Sequence, residues 1–167
     1  MSGYTIIIRD EDVKNLLRVM RASGRDLRRD LGKDIRRVAQ PVIDDMRSEI
    51  SGMSLPATGG KEPYSGPSGG GGITGRIAGA TKVSITSGGV RIKVNTGALG
   101  NASKLPAYID AGVTWRHPVM GNRNAWVSQT AATDGWFTKT GLRHHPQIKR
   151  EVIHILSRYA TLMAARL

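Results

Sequence analysis

The chain has 167 residues, of which 39% are hydrophobic, and this size and composition fit one globular domain with a modest core. The absence of cysteine excludes disulfides and thiolate zinc sites, and no run approaches the roughly 20 apolar residues that a membrane span needs. The net charge of +12 is uneven, since residues 1–53 hold 11 basic and 9 acidic side chains whereas residues 54–167 hold 14 and 4. This excess favours a nucleic acid or an acidic protein as partner.

The first predicted elements are a strand and a helix. The segment Tyr4–Arg9 (YTIIIR) is short and β-branched, which predicts a strand. Acidic residues at positions 10–12 then predict the start of a helix, whose apolar residues recur at helical spacing until Gly24 ends it. The N-terminal segment has no basic stretch followed by an apolar one, so we expect no secretory signal.

Residues 25–53 carry the clearest helical periodicity in the chain. Apolar side chains recur every three or four residues along one stripe: Leu27, Leu31, Ile35, Val38, Val42, Met46 and Ile50. The opposite face is basic, but Asp26, Asp30 and Asp34 are interleaved with the basic residues, which favours a solvated helix surface over a binding site. Pro41 lies inside the pattern and predicts a kink or a break.

Residues 54–72 (SLPATGGKEPYSGPSGGGG) are rich in Gly, Pro and Ser and poor in apolar residues. Such a segment buries too little surface to offset its ordering entropy, so it is predicted to be a long flexible loop or linker. A long loop inside one domain is usually functional or disordered. We therefore treat residues 1–167 as a single domain in which this loop is a candidate partner-binding element.

Residues 81–95 (TKVSITSGGVRIKVN) have the pattern of a β-hairpin. Apolar and polar residues alternate on both sides of a Ser-Gly-Gly turn at 87–89. This alternation predicts that Lys82, Arg91 and Lys93 share the polar face of the hairpin. Residues 96–105 are predicted to be a loop, and Pro106–Gly112 a short helix or turn.

Residues 114–129 (TWRHPVMGNRNAWVSQ) predict two strands, at 114–115 and 125–129, joined by a turn over HPVMGNRN. We interpret Trp115, Trp126 and Trp136 as core or interface anchors, because predicted strands need bulky side chains. The alternative is that tryptophans next to Arg116 and Arg123 stack on bases and pair with phosphates.

Residues 146–167 predict a C-terminal helix, with Pro146 in its first turn. Its apolar face is wide and comprises Ile148, Val152, Ile155, Leu156, Tyr159, Leu162 and Met163. The fold class is therefore α+β: a small antiparallel sheet packed against a long N-terminal helix and a C-terminal helix.

The sequence contains no recognisable catalytic constellation. The four histidines lack the spacing of a zinc-binding helix, and neither a nucleophile elbow nor a Walker loop is present. We therefore expect no catalytic residues, no metal and no cofactor. A helix-turn-helix, RNA-recognition or zinc-finger pattern is absent as well, so a nucleic acid could be bound only through charge and stacking.

The run WRHPVMGNRNAWVSQ, followed by GWF at 135–137 and a terminal helix, resembles the neck or tail-completion proteins of long-tailed bacteriophages, also described as head–tail joining or minor tail proteins. The resemblance is specific over residues 106–137 and rests on element order elsewhere. It implies a non-enzymatic virion protein that is assembled in the host cytoplasm. In that family the protein forms a ring, usually a hexamer, which finishes the tail between the head connector or stopper and the tail tube or terminator. Genomic DNA passes through the ring, and no membrane is involved.

The resemblance also suggests roles for particular residues. Candidates for subunit or partner contacts lie in the motif: Trp115, Arg116, His117, Pro118, Gly121, Asn122, Arg123 and Trp126. Lys82, Arg91 and Lys93 are candidates to face the DNA channel or an acidic partner, and Lys61 and Tyr64 are candidates for an assembly loop. The first alternative is a basic protein that binds nucleic acid independently of sequence, and a small hydrolase is a more distant one.

Overall fold

The computed structural model describes the backbone of residues 5–8 and, with side chains for most positions, residues 25–53, 55, 72–86, 89–119 and 122–165. The predicted helix before Gly24, most of the predicted loop with Lys61 and Tyr64, and Gly121 lie outside these described residues. The α+β class is confirmed. The elements, in chain order, are β1 (Thr5–Ile8), α1 (Arg25–Ser51), α2 (Gly72–Ala80), β2 (Thr81–Thr86), β3 (Gly89–Val94), a 3-10 helix (Thr96–Ala102), α3 (Leu105–Asp110), β4 (Trp115–Val119), β5 (Asn122–Gln129) and α4 (Thr138–Ala164).

Helix α1 follows the predicted apolar stripe, and its buried positions are Leu31, Ile35, Ala39, Val42, Ile43, Met46 and Ile50. Its other face is solvated, with exposed ion pairs such as Arg29–Asp26 at 3.3 Å, each worth about 0–1 kcal/mol. The break considered at Pro41 is wrong, because the helix continues to Ser51. Pro41 is exposed between buried Ala39 and Val42, and packing of those neighbours offsets the lost hydrogen bond.

The C-terminal helix begins earlier than the sequence predicts. α4 starts at Thr138, so Pro146 lies inside the helix and not in its first turn. The carboxylate of Asp110, at the end of α3, accepts hydrogen bonds from the backbone N–H groups of Phe137 (2.8 Å) and Thr138 (3.0 Å), and from the Thr138 hydroxyl. These bonds satisfy donors that a helix start leaves open. Because the acceptor comes from a distant segment, no local pattern marks this start.

A three-stranded antiparallel sheet with the order β1-β3-β2 packs against the long helices. Both the predicted first strand and the predicted hairpin are confirmed, and β1 pairs with the opposite edge of β3 from β2. On β3, Val90, Ile92 and Val94 are buried in one cluster with the apolar faces of α1 and α4. Side chains alternate along a strand, so Arg91 and Lys93 lie on the outer face of the sheet.

Helices α1 and α4 run antiparallel and are joined by polar contacts at two levels. Asp34 accepts a hydrogen bond from the Tyr159 hydroxyl at 3.1 Å and pairs with Arg158, while Asp45 lies 2.7 Å from Nε2 of His144. Burial, together with the neighbouring Asp34 carboxylate, raises the pKa of Tyr159 above its ordinary value. These contacts fix how the two helices are aligned along their axes.

Two segments that the sequence analysis assigns to loops are helical. Gly72 begins α2 instead of ending the Gly-rich loop. Residues 96–102, which we call the 3-10 helix, form two short helical turns that meet at a kink at Gly100, where φ is 58°. Arg47 of α1 donates to the carbonyl oxygens of Ala78 (3.2 Å) and Thr81 (3.0 Å), which ties α2 and the start of β2 to α1. The short helix predicted after this region is confirmed as α3. Among the helices described, none is both long enough and apolar enough to cross a membrane.

Candidate functional site

Strands β4 and β5 pair with each other in a separate two-stranded sheet, which we call the hairpin arm. The predicted eight-residue turn is too long, because β4 extends to Val119 and β5 begins at Asn122. Pro118 and Asn122 are therefore strand residues and not turn residues. The pairing register shifts between Pro118 and Val119, and such an irregularity tolerates the missing N–H of proline.

The two tryptophans of the arm lie on opposite faces. Cross-strand partners share a face, and Trp115 pairs with Gln129 whereas Trp126 pairs with Pro118. Trp115 is 8% exposed and belongs to the main core cluster, but Trp126 is 49% exposed. The interpretation of Trp126 as a core anchor is therefore wrong, and its interpretation as an interface anchor stays a prediction. Trp115 joins the arm to the core, and Trp126 is presented to solvent.

The outer face of the arm carries Arg116, Pro118, Trp126 and Ser128. The guanidinium carbon of Arg116 lies 6.0 Å from the ring centroid of Trp126, at the outer limit of a cation–π contact. The indole N–H donates to the backbone oxygen of Arg123 at 2.7 Å. Since the only polar atom of the ring is bonded within the arm, the exposed part of Trp126 is apolar and ready to pack against another surface.

The inner face of the arm is anchored near its base. Gln129 donates through Nε2 to the backbone oxygen of Leu55 at 3.3 Å, which links β5 to the segment after α1. The ring of His117 is partly buried, with Nδ1 3.1 Å from the backbone oxygen of Pro118. Its Nε2 is buried and has no hydrogen-bond partner among the described residues. His117 is thus turned towards the body, unlike Arg116 and Arg123, which are exposed.

The outer face of the three-stranded sheet brings Lys82, Arg91 and Lys93 together, and we call these three residues the basic face. Lys82 lies directly opposite Lys93 in the register, and Arg91 opposite Ser84. Like charges in directly opposed positions destabilise a sheet. In the described ranges no carboxylate forms an ion pair with any of the three, and Nε of Arg91 is buried without a hydrogen-bond partner. The basic face therefore lacks a counter-charge within this part of the chain.

The GWF motif serves the core. Gly135 has φ 75°, and a Cβ there would lie 2.4 Å from side-chain carbons of Lys139, so the backbone requires glycine. Trp136 is buried and donates to the backbone oxygen of Pro106 at 3.4 Å, and its ring meets that of Phe137 edge-on with centroids 5.5 Å apart. These contacts lock α3 to the start of α4.

Two polar residues that the sequence analysis does not single out lie next to the basic face. Arg76 of α2 and Asn95, which follows β3, join Lys82 around an open groove. The Gly-rich composition of α2 does not predict a helix, so it does not mark the position of Arg76. The only local signal for a functional role of Arg76 is its positive charge, which has no acidic residue near it in the sequence.

The described residues contain no group of three or more His, Asp or Glu side chains arranged to hold a metal ion. A cavity enclosed by α1, α4 and the sheet has a volume of about 10 Å³, room for about one water molecule. Comparison of the chain with protein-family models, curated proteins and solved structures finds no match. The described residues therefore offer two surfaces for contact with a partner, the hairpin arm and the basic face.

Proposed function

We propose that this chain is a structural virion protein of the head–tail neck of a long-tailed phage, forming a ring that completes the tail and joins it to the head connector. The observation that carries the proposal is the hairpin arm, which holds Trp126 half exposed beside Arg116. Half-exposed tryptophan and arginine side chains are the residue types that dominate protein–protein contacts. The same residues lie in the motif that resembles neck proteins.

A ring requires two unlike surfaces on each subunit, which meet head to tail. In the proposed hexamer the outer face of the arm is one of these surfaces and packs on the body of the next subunit. Lys61 and Tyr64 remain the proposed assembly-loop residues towards the connector, the stopper or the tail terminator. Neither a catalytic group nor a cofactor is needed for this role.

The test is complementation of a phage that lacks a functional copy of the gene encoding this chain. We expect the Trp126→Ala and Arg116→Glu variants to leave heads and tails unjoined, as counted by negative-stain electron microscopy. The matched control is Tyr108→Ala, which removes an exposed aromatic ring of α3 outside the arm. Normal joined particles with both arm variants would refute the role of the arm, and normal particles without the protein would refute the neck function.

The second candidate function is sequence-independent nucleic-acid binding, and the observation that favours it is the basic face. Its three cations have no acidic partner among the described residues. The two candidates are separated by whether the isolated monomer binds DNA. Tight binding by the monomer that weakens steeply with salt would favour the second candidate, while binding only after ring assembly would favour the first.

A further inference from the structure

An open groove of about 240 Å³ lies beside the basic face. It is lined by α2, the start of β2 and the 3-10 helix. Its lining is built from two cations, one amide and three small residues: Arg76, Lys82, Asn95, Gly79, Ala80 and Ala98. We propose that this groove seats one phosphate group of a nucleic-acid backbone that lies along the basic face.

The donors favour a phosphate over a carboxylate. Arg76 comes from α2, Lys82 from β2 and Asn95 from the end of β3, so three donor side chains stand around one space. A phosphate offers several oxygens in different directions, whereas a carboxylate offers two in one plane. Arginine binds such oxygens as a planar fork, and lysine supplies a point charge. The small residues leave the groove open for a ligand to approach the backbone.

Three backbone acceptors at or next to the groove already have donors, which lowers the repulsion that an anion would meet there. The carbonyl oxygen of Ile77 accepts from the Thr81 hydroxyl at 3.0 Å, and that of Ala78 from Arg47 at 3.2 Å. The carbonyl oxygen of Ala80 accepts from the Asn95 N–H at 2.8 Å. Three of the last four carbonyls of α2 therefore have hydrogen-bond donors, which lowers the negative charge at this end of the helix.

Arg76 is oriented without being neutralised. One of its terminal nitrogens donates to the backbone oxygen of Leu99 at 3.3 Å, and a guanidinium has further N–H groups for a ligand. No carboxylate lines the groove. Lys82 belongs to both the groove and the basic face, so the cations form one band from Arg91 through Lys93 and Lys82 to Arg76.

The test measures binding of the full chain to a short duplex DNA of arbitrary sequence over a range of salt concentrations. Losing one phosphate contact lowers the steepness of the log–log salt dependence by about 0.9, which corresponds to about eightfold weaker binding at 0.1 M salt relative to a 1 M reference. We expect Arg76→Gln and Lys82→Gln each to show this change. Gly79→Leu adds no charge and meets no atom within 4 Å at its Cβ, so it fills the groove while preserving α2, and we expect a similar loss.

The matched control is Arg28→Gln, which removes one exposed cation from α1 about 28 Å along the helix from Arg47. We expect it to leave the salt dependence unchanged, and circular dichroism and thermal melting establish that every variant folds. If Arg76→Gln, Lys82→Gln and Gly79→Leu all behave like Arg28→Gln, the groove proposal is overturned.

Three further measurements distinguish which anion binds and which part of the surface binds it. Polyglutamate that binds as tightly as DNA, with the same sensitivity to the groove variants, would overturn the proposal in favour of an acidic protein. Inorganic phosphate that binds through the groove while DNA does not would overturn the nucleic-acid source. The inference rests on the second candidate function, in which the basic face carries a nucleic acid, and not on the neck function. Lys93→Gln changes the basic face outside the groove lining. If only the groove proposal is wrong, Lys93→Gln weakens DNA binding while the groove variants do not. If the basic face does not bind DNA, none of these variants changes binding.

Discussion

The three-stranded sheet and the hairpin arm are both antiparallel, yet the body of the protein covers them differently. The inner face of the three-stranded sheet is buried under α1 and α4, with Val90 and Ile92 in the main core. The arm joins that core through Trp115 and leaves Trp126 half exposed. An isolated two-stranded hairpin is marginally stable in water, so the arm depends on its base. The comparison indicates that the chain separates the side chains that stabilise the fold from those that are free to meet a partner.

The largest expected effect lies where the two regions meet. Trp115→Ala removes a buried ring, and we expect it to lower the free energy of unfolding by about 3–5 kcal/mol, measured by urea denaturation. A decrease in the free energy of unfolding of less than about 1 kcal/mol would show that Trp115 does not anchor the arm to the body of the protein.

A smaller loss is expected inside the body, at the start of α4. Asp110→Ala leaves the N–H groups of Phe137 and Thr138 without their acceptor, which should cost about 1–3 kcal/mol in chemical denaturation. Asp110→Asn keeps one acceptor oxygen and is the matched control, with a smaller loss expected. Equal losses in the two variants would mean that the negative charge, and not the hydrogen bonding, stabilises the helix start.

The link between α1 and α4 predicts an effect that depends on pH. The fold raises the pKa of Tyr159. The stability that its neutral hydroxyl contributes is therefore complete below pH 10.0, the ordinary pKa, and is lost as the pH rises through the raised pKa. Tyr159→Phe should cost about 1 kcal/mol at neutral pH through the lost bond to Asp34, and it should flatten the decline in stability above pH 10. Melting curves from pH 7 to 11 test this, and an unchanged alkaline decline in the variant would contradict it.

The smallest effect on folding is expected at Trp126, on the outer face of the arm. Trp126→Ala should change the free energy of unfolding by less than about 1 kcal/mol, because its ring is half exposed and outside the core. The same variant should impair head–tail joining if the neck proposal is correct. A loss as large as that of Trp115→Ala would show that the outer face of the arm is structural.

The elements with strong local periodicity could be predicted from the sequence. The apolar stripe of α1, the alternation of β2 and β3 and the apolar face of α4 each depend on neighbouring residues. The start of α4 could not be predicted in this way, since the carboxylate that caps it is on α3. Helix α2 could not be predicted because its three glycines are poor helix formers, and the contacts of Arg47 that hold it are non-local.

The candidate site was predictable in composition but not in orientation. The residues of the basic face were identified from alternation alone, and the register places them on one face. The exposure of Trp126 depends on the register of β4 against β5, and a shift of one residue would exchange the two faces of β5 relative to β4. Residue types therefore indicated the arm, while only the pairing determined which tryptophan is presented.

Strand β1 has a consequence for the order of folding. Its partner β3 follows it by more than 80 residues, as in the pair Thr5 and Lys93, whereas only two residues separate β2 from β3 along the chain. Closing so long a segment costs more chain entropy than closing a short turn, and non-local pairing slows folding more than it changes stability. We therefore expect β2 and β3 to associate first and β1 to dock last. Until then β3 has an open edge, and in a crowded assembly the β1 of a second copy can compete for it.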